Sequence, residues 1–85
     1  MDIRKVFGLN VRRLRLPTGL SQEAVADETG LGRAHMSSIE RGKSNVTLDT
    51  LDTLSSAFKC AWGDLLDIEA ARKFQRGQKS KAPRI

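Results

Sequence analysis

Arg33, Ala34, Ser37, Ser38 and Arg41 carry the chemistry most legible in this chain. At about 100° per residue they fall within an arc of roughly 140° on one side of a predicted helix. Met36 and Ile39 fall on the opposite side, and His35 at the boundary. Such an arc does recognition chemistry, not bond-making chemistry. A guanidinium at Arg33 can donate two hydrogen bonds to O6 and N7 of a guanine, which discriminates against a wrong base by about 1–3 kcal/mol. Ala34 suits a thymine methyl, and Ser38 can hydrogen-bond a base edge or a phosphate. The alternative is a solvated helix face, on which Arg33 and Ser38 have no reading role. His35 reads as an edge-packing or phosphate-contacting residue rather than a catalyst. No Ser/His/Asp set, Cys/His pair or phosphate loop stands at a useful spacing, so an enzyme is the least supported class. Cys60 is the only cysteine and His35 the only histidine. An internal disulfide and a cysteine-rich metal site are thereby excluded, and neither metal nor cofactor is expected.

A groove-reading helix must be anchored from behind, and the segment Gln22 to Gly42 supplies the anchor. It reads as two short amphipathic helices joined at Gly30. The inward positions hold Val25, Thr29, Leu31, Met36 and Ile39. Ala26 provides the small side chain needed where the helices nearly touch, and Gly30 the backbone freedom needed at the turn. Size, polarity and backbone freedom are constrained together, the pattern of a helix-turn-helix whose second helix enters the DNA major groove. An ordinary antiparallel helix pair is the competing reading.

Around this pair the chain reads as all-α, with five helices and no strand. Helix 1 is expected over about 2–16, with Ile3, Val6, Phe7, Asn10, Val11 and Leu14 at helical spacing and Asp2 as N-cap. Pro17 and Gly19 end it. Ser21 caps a helix over 22–29, with Leu20 stapling onto Val25. The recognition helix spans about 33–41. Thr47 caps a helix over 48–58 with Leu48, Leu51, Leu54, Ser55 and Phe58 on one face. A last helix is expected over 62–74, with Leu65, Leu66, Ile68 and Ala70 apolar. Residues 1–75 form one domain, and 76–85 a basic tail expected to be disordered. Residues 1–71 hold nine Lys/Arg and ten Asp/Glu, whereas 72–85 hold six Lys/Arg and no acid. The net charge of +5 is thus a property of the end of the chain. It either grips phosphate nonspecifically or is merely solvated. No apolar run is long enough for a membrane span, so a soluble cytoplasmic protein is expected.

The stretch VRRLRLPTGLSQEAVADETGLGRAHMSSIERGKSNVTLDTLDTLSSAFKCAWGDLL resembles the phage repressor and Cro-type, or XRE-type, helix-turn-helix regulators. The most diagnostic pieces are GLSQ, the spacing from Gln22 to Gly30, and IERG before N-x-T-L-x-T-L. The resemblance implies a lambda-repressor-like five-helix domain. It implies base contacts from Arg33, Ala34 and Ser38. Backbone contacts are expected from Gln22, Lys43, Ser44 and Asn45, with His35, Ser37 and Arg41 alongside. An Arg15–Glu40 pair would tie helix 1 to the recognition helix, making Glu40 structural. The sequence departs from the family at Gly32 and Ala61, where side-chain caps are usual, and at Thr29, usually more apolar. Twofold dimers on palindromic operators are typical, with Trp62, Leu66 and Leu65 as pairing residues here; core burial is the competing reading for Trp62. The expected function is sequence-specific double-stranded-DNA-binding transcription regulation, by repression or by touching RNA polymerase. SNVTLDTL leans towards the restriction–modification controller type. The alternative is an interaction module, such as an antitoxin that binds a toxin, with DNA binding secondary.

Overall fold

The computed structural model describes residues 1–80. Six helices, α1 (Ile3–Arg15), α2 (Gln22–Thr29), α3 (Arg33–Glu40), α4 (Leu48–Phe58), α5 (Trp62–Leu65) and α6 (Ile68–Ser80), surround one apolar core, and the described residues include no strand. Local chemistry sets most of the boundaries. Asp2 caps α1 by accepting from the Arg4 amide at 2.8 Å. Leu16–Thr18 tightens into a 3₁₀ turn around Pro17. Ser21 caps α2 by accepting from the Ala24 amide at 3.0 Å, and Thr47 caps α4 by accepting from the Thr50 amide at 3.1 Å. Each cap satisfies one amide that the first turn of a helix cannot pair internally.

The core is built from Phe7 and Val11 of α1, Val25 and Ala26 of α2, Met36 and Ile39 of α3, Leu51 and Leu54 of α4, and Leu65 of α5. Leu14, Leu20, Leu31, Val46, Phe58 and Cys60 pack on its edge. Thr29, the semi-polar member of the inward set, is half-buried, and its hydroxyl donates to the Val25 carbonyl at 2.7 Å. It therefore borders the core with no unpaired polar atom. Burial, and secondarily the Asp64 carboxylate, pushes the Cys60 thiol above its ordinary range, as suits a packing residue.

Three expectations are corrected here. The single last helix is two helices, because Leu66 leaves helical geometry (φ −112°, ψ 10°) and the chain restarts at Asp67. The break is held from α1: Asn10, fully buried, donates its amide to the carbonyls of Leu65 and Asp67, each at 3.0 Å. Asp67 then accepts from the Ala70 amide at 3.0 Å and starts α6. The restart resets the buried face, so Ala71 is buried where Ile68 is exposed. Second, α6 packs along α1 and runs through Gly77 to Ser80, so residues 76–80 are helical and the expected domain boundary at 75 falls inside a helix. The rest of the expected tail, 81–85, lies outside the described residues. Third, Leu48 does not join the inward face of α4 but is 81% exposed. It is the first residue of α4, directly after the Thr47 cap.

Candidate nucleic-acid interface

The interface begins with a charge pair beneath the surface. Arg15, near the end of α1, meets Glu40, at the end of α3, through Nε–Oε2 at 2.6 Å and a second guanidinium nitrogen to Oε1 at 3.1 Å. Both residues are buried, and Arg15 also donates to the Leu20 carbonyl at 2.9 Å. A bidentate pair in which every nitrogen and oxygen has a hydrogen-bond partner is the arrangement in which buried charge is tolerated. Gln22 joins this network, its Nε2 donating to Glu40 Oε1 at 3.1 Å. The first residue of α2 is thereby oriented by the same carboxylate that ties α3 to α1. An amide nitrogen carries two N–H groups, so one remains for an outside acceptor. The sequence marked Gln22 and the Arg15–Glu40 pair separately. It gave no sign that they form one unit.

A second clamp lies alongside. A Cβ added at Gly8 would run into the Ile39 carbonyl oxygen and lie 3.1 Å from the Glu40 carbonyl oxygen. The side-chain-free position lets α1 approach the backbone of α3 directly. The Gly30 C-cap of α2 adopts φ 74°, which turns the chain towards α3, and α3 starts from Gly32 at φ 81° without a side-chain cap. Fully buried Met36 and Ile39 pin its inner side, so packing supplies what the missing cap does not.

The outer side of α3 is open. Arg33 and Ala34 are exposed at its start and Arg41 at its end, with Ser37, Ser38 and His35 half-buried between them. The Arg33 side chain is 73% exposed, and among the described residues its ion-pair partner is Glu23 of α2 at 3.9 Å, itself 65% exposed. A pair so long and so wet exchanges readily with an outside acceptor. Arg41 uses Nε on the Ser37 carbonyl at 3.4 Å. The loop after α3 folds back onto the helix: the Lys43 amide donates to the Ser38 carbonyl at 3.0 Å, and the Ser44 hydroxyl donates to Ser38 Oγ at 2.6 Å. Ser38 still has its own proton to give. Ser44 spends its proton on fixing the loop, which makes it a positioning residue as well as a surface one. Lys43 and Asn45 are exposed.

This is a rigid, polar, cationic helix face presented by a two-helix unit. The helix-turn-helix family profile HTH_3 matches residues 11–65, which contain α2, α3 and α4 entire. The chain belongs to the HTH_3, XRE-type family of DNA-binding transcription regulators. This helix-turn-helix protein is similar to the control protein C.BamHI of Bacillus amyloliquefaciens, with 45% identity over 68 residues, 79% of this chain and 84% of that one. It is also similar to the control protein C.SmaI of Serratia marcescens, with 39% identity over 75 residues, 88% of this chain and 89% of that one. Among solved structures, the restriction–modification controller C.AhdI of Aeromonas hydrophila superposes with a TM-score of 0.69 at 37% identity, covering 73% of this chain and 90% of its own. A hypothetical transcription factor from Neisseria superposes with a TM-score of 0.73 at 35% identity, covering 76% and 75%.

The predicted pairing residues of the helix-turn-helix protein separate. Leu65 is fully buried in the core and leaves the surface set. Trp62 is 60% exposed and Leu66 39%. Core burial of Trp62 is thus excluded; its indole N–H donates to Asp52 Oδ1 at 3.0 Å, which fixes the ring on the surface. An open apolar cleft of about 230 Å³ adjoins Leu66, lined also by Ile3, Phe7, Val46, Leu48 and Leu51. The described residues include no group of three or more His, Cys, Asp or Glu that could hold a metal ion, and no helix long and apolar enough to cross a membrane.

Proposed function

We propose that this chain is a sequence-specific regulator of transcription that pairs as a twofold dimer on a palindromic operator, of the restriction–modification controller type. The observation that carries the reading is the open outer face of α3, with Arg33 exposed at its start, on a helix held from behind by core side chains and the buried Arg15–Glu40 pair. Arg33, Ala34 and Ser38 read base edges. Gln22, His35, Ser37, Arg41, Lys43, Ser44 and Asn45 set the register on the phosphate backbone. The free N–H of Gln22 and the exposed ammonium of Lys43 fit that role. Two copies place their α3 helices in successive major grooves, roughly 34 Å apart.

The dimer forms through the exposed Trp62 and Leu66, with Ile3 and Leu48 lining the apolar cleft beside Leu66. Self-pairing accounts for these exposed side chains without a second polypeptide such as a toxin. The controller role is supported by the similarity to the control proteins C.BamHI and C.SmaI and the controller C.AhdI, over 84%, 89% and 90% of those chains. The protein then acts in the cytoplasm, and its own concentration sets operator occupancy, repressing by occlusion or activating through RNA polymerase. Selection of bound duplexes from a random pool tests the proposal. Enrichment of a two-part palindrome with half-sites one helical turn apart is the expected result, and recovery of no common sequence overturns it.

A further inference from the structure

Outside the outer face of α3 lies a polar cleft of about 310 Å³, lined by Asp2, Arg4, Lys5, Arg41, Gly42 and Lys43. Two segments far apart in sequence make it, the start of α1 and the loop after α3. Gly42 brings them together. It adopts φ 72°, and a Cβ there would stand 3.1 Å from the Lys5 Cα, so the loop rests on the α1 backbone where a side chain would hold it off. Arg41 continues the outward line of α3 through Ala34 and Ser37, so the cleft adjoins the reading face.

The charges of this cleft do not cancel. Among the described residues that line it Asp2 is the only acid, and its carboxylate is already engaged by the Arg4 amide at 2.8 Å and guanidinium at 3.2 Å. Among the described residues no carboxylate forms an ion pair with Lys5, Arg41 or Lys43. Three cations around one cleft repel one another, and an anion placed between them relieves that repulsion. A lysine ammonium is a point charge that suits a phosphate and lacks the planar fork that reads a base.

We propose that Lys5, Arg41 and Lys43 form a cradle for a phosphodiester of the same duplex, extending the DNA contact from the helix-turn-helix onto the start of α1. This inference rests on the DNA-binding reading above. It gives Lys5 a role that neither the helix-turn-helix pattern, whose family match begins at residue 11, nor the sequence motifs assign. The contact sets register and adds salt-sensitive affinity without sequence preference.

The test titrates the full chain with a selected operator and with a scrambled duplex over a series of salt concentrations. Lys5→Ala keeps the Cβ that packs on Gly42, and an unchanged thermal midpoint confirms that the fold is intact. Each lost phosphate contact makes the slope of log affinity against log salt shallower by about 0.9. The dimer loses one contact per protomer, so its slope changes by about 1.8, roughly a thirtyfold weaker complex at 0.15 M salt. The expected result is that drop on both duplexes, with their affinity ratio unchanged, and a larger loss for Lys5→Glu. Lys59→Gln, at the end of α4 and outside the cleft, leaves the slope unaltered. An unaltered slope for Lys5→Ala overturns the cradle, as does an equal drop for Lys59→Gln, which would make the effect one of net charge. Failure of the wild-type chain to bind either duplex overturns the DNA reading itself and the cradle with it. A wild-type chain that binds and discriminates while Lys5→Ala behaves identically removes the cradle alone.

Discussion

Arg33 and Glu40 stand at opposite ends of α3 and answer to opposite physics. Arg33 sits in water with a remote, weak partner, so its removal costs the free protein little. Arg33→Ala is expected to leave thermal stability within about 0.5 kcal/mol, as for surface substitutions generally. Specific binding should weaken by about 1–3 kcal/mol, with base preference relaxed at one operator position. Parallel duplex selections on wild type and variant check this, and an unchanged selected motif removes Arg33 from base reading. Glu40 is buried against Arg15 and Gln22. Glu40→Ala leaves a buried guanidinium without its counter-charge, which costs about 3–5 kcal/mol of stability. Chemical denaturation measures that loss, and a small change would mean that water reaches Arg15 freely. Operator affinity should fall in Glu40→Ala even under conditions where it stays folded, because Gln22 loses the acceptor that orients it.

How these side chains come together depends on how helices approach, and there the sequence is only partly transparent. Ser21, Gly30 and Thr47 announced their helix ends because capping is a local event between neighbours in the chain. Val25, Ala26, Met36 and Ile39 were legible as an inward set because burial follows helical period. Gly8 carried no such mark. In sequence it is a poor helix former inside α1, and only the three-dimensional approach of the Ile39 carbonyl explains it. Asn10 was likewise the one polar residue on an apolar face. Its partners, the Leu65 and Asp67 carbonyls, are more than fifty residues away. The break between α5 and α6 was hidden for the same reason, although Asp67 is itself a capping residue in the middle of an otherwise helical run. Leu48 misled because periodicity says which side a residue faces, not how far the core extends. Gly8→Ala turns this into a measurement. Alanine favours the isolated helix by about 1 kcal/mol, yet in the folded protein it forces α1 off α3, and overpacking of this kind costs about 1–3 kcal/mol. The expected net outcome is a lower thermal midpoint together with weaker operator binding, since α3 loses its support. A rise in midpoint would show that the two helices are not in close contact.

One small domain offers one recognition helix, and the contacts on a single half-site limit how well it can select a sequence from a genome. Doubling the contact requires a second copy, and the molecule exposes a surface suited to that. Trp62, Leu66, Ile3, Leu48 and Ile68 are all large, apolar and more than a third exposed. Exposed apolar residues are ordinary when single and call for explanation when several line one cleft. The cleft beside Leu66, with Ile3 and Leu48 on its rim, meets that condition. Burying them between two protomers removes apolar area from water, at about 25 cal/mol per Å² before the cost of association. It also couples occupancy to concentration, because pairing and operator binding reinforce each other. Leu66→Asp places a carboxylate in the proposed interface of each protomer while altering a residue that is only partly buried in its own. The fold should persist, with the helical circular dichroism spectrum of the wild type. Sedimentation should show a monomer at concentrations where the wild type is a dimer. Affinity for a full palindrome should fall towards that for a single half-site, and the steep concentration dependence of operator occupancy should flatten. If Leu66→Asp remains a dimer and binds the palindrome as before, pairing uses another face, and the apolar cleft then has a different occupant.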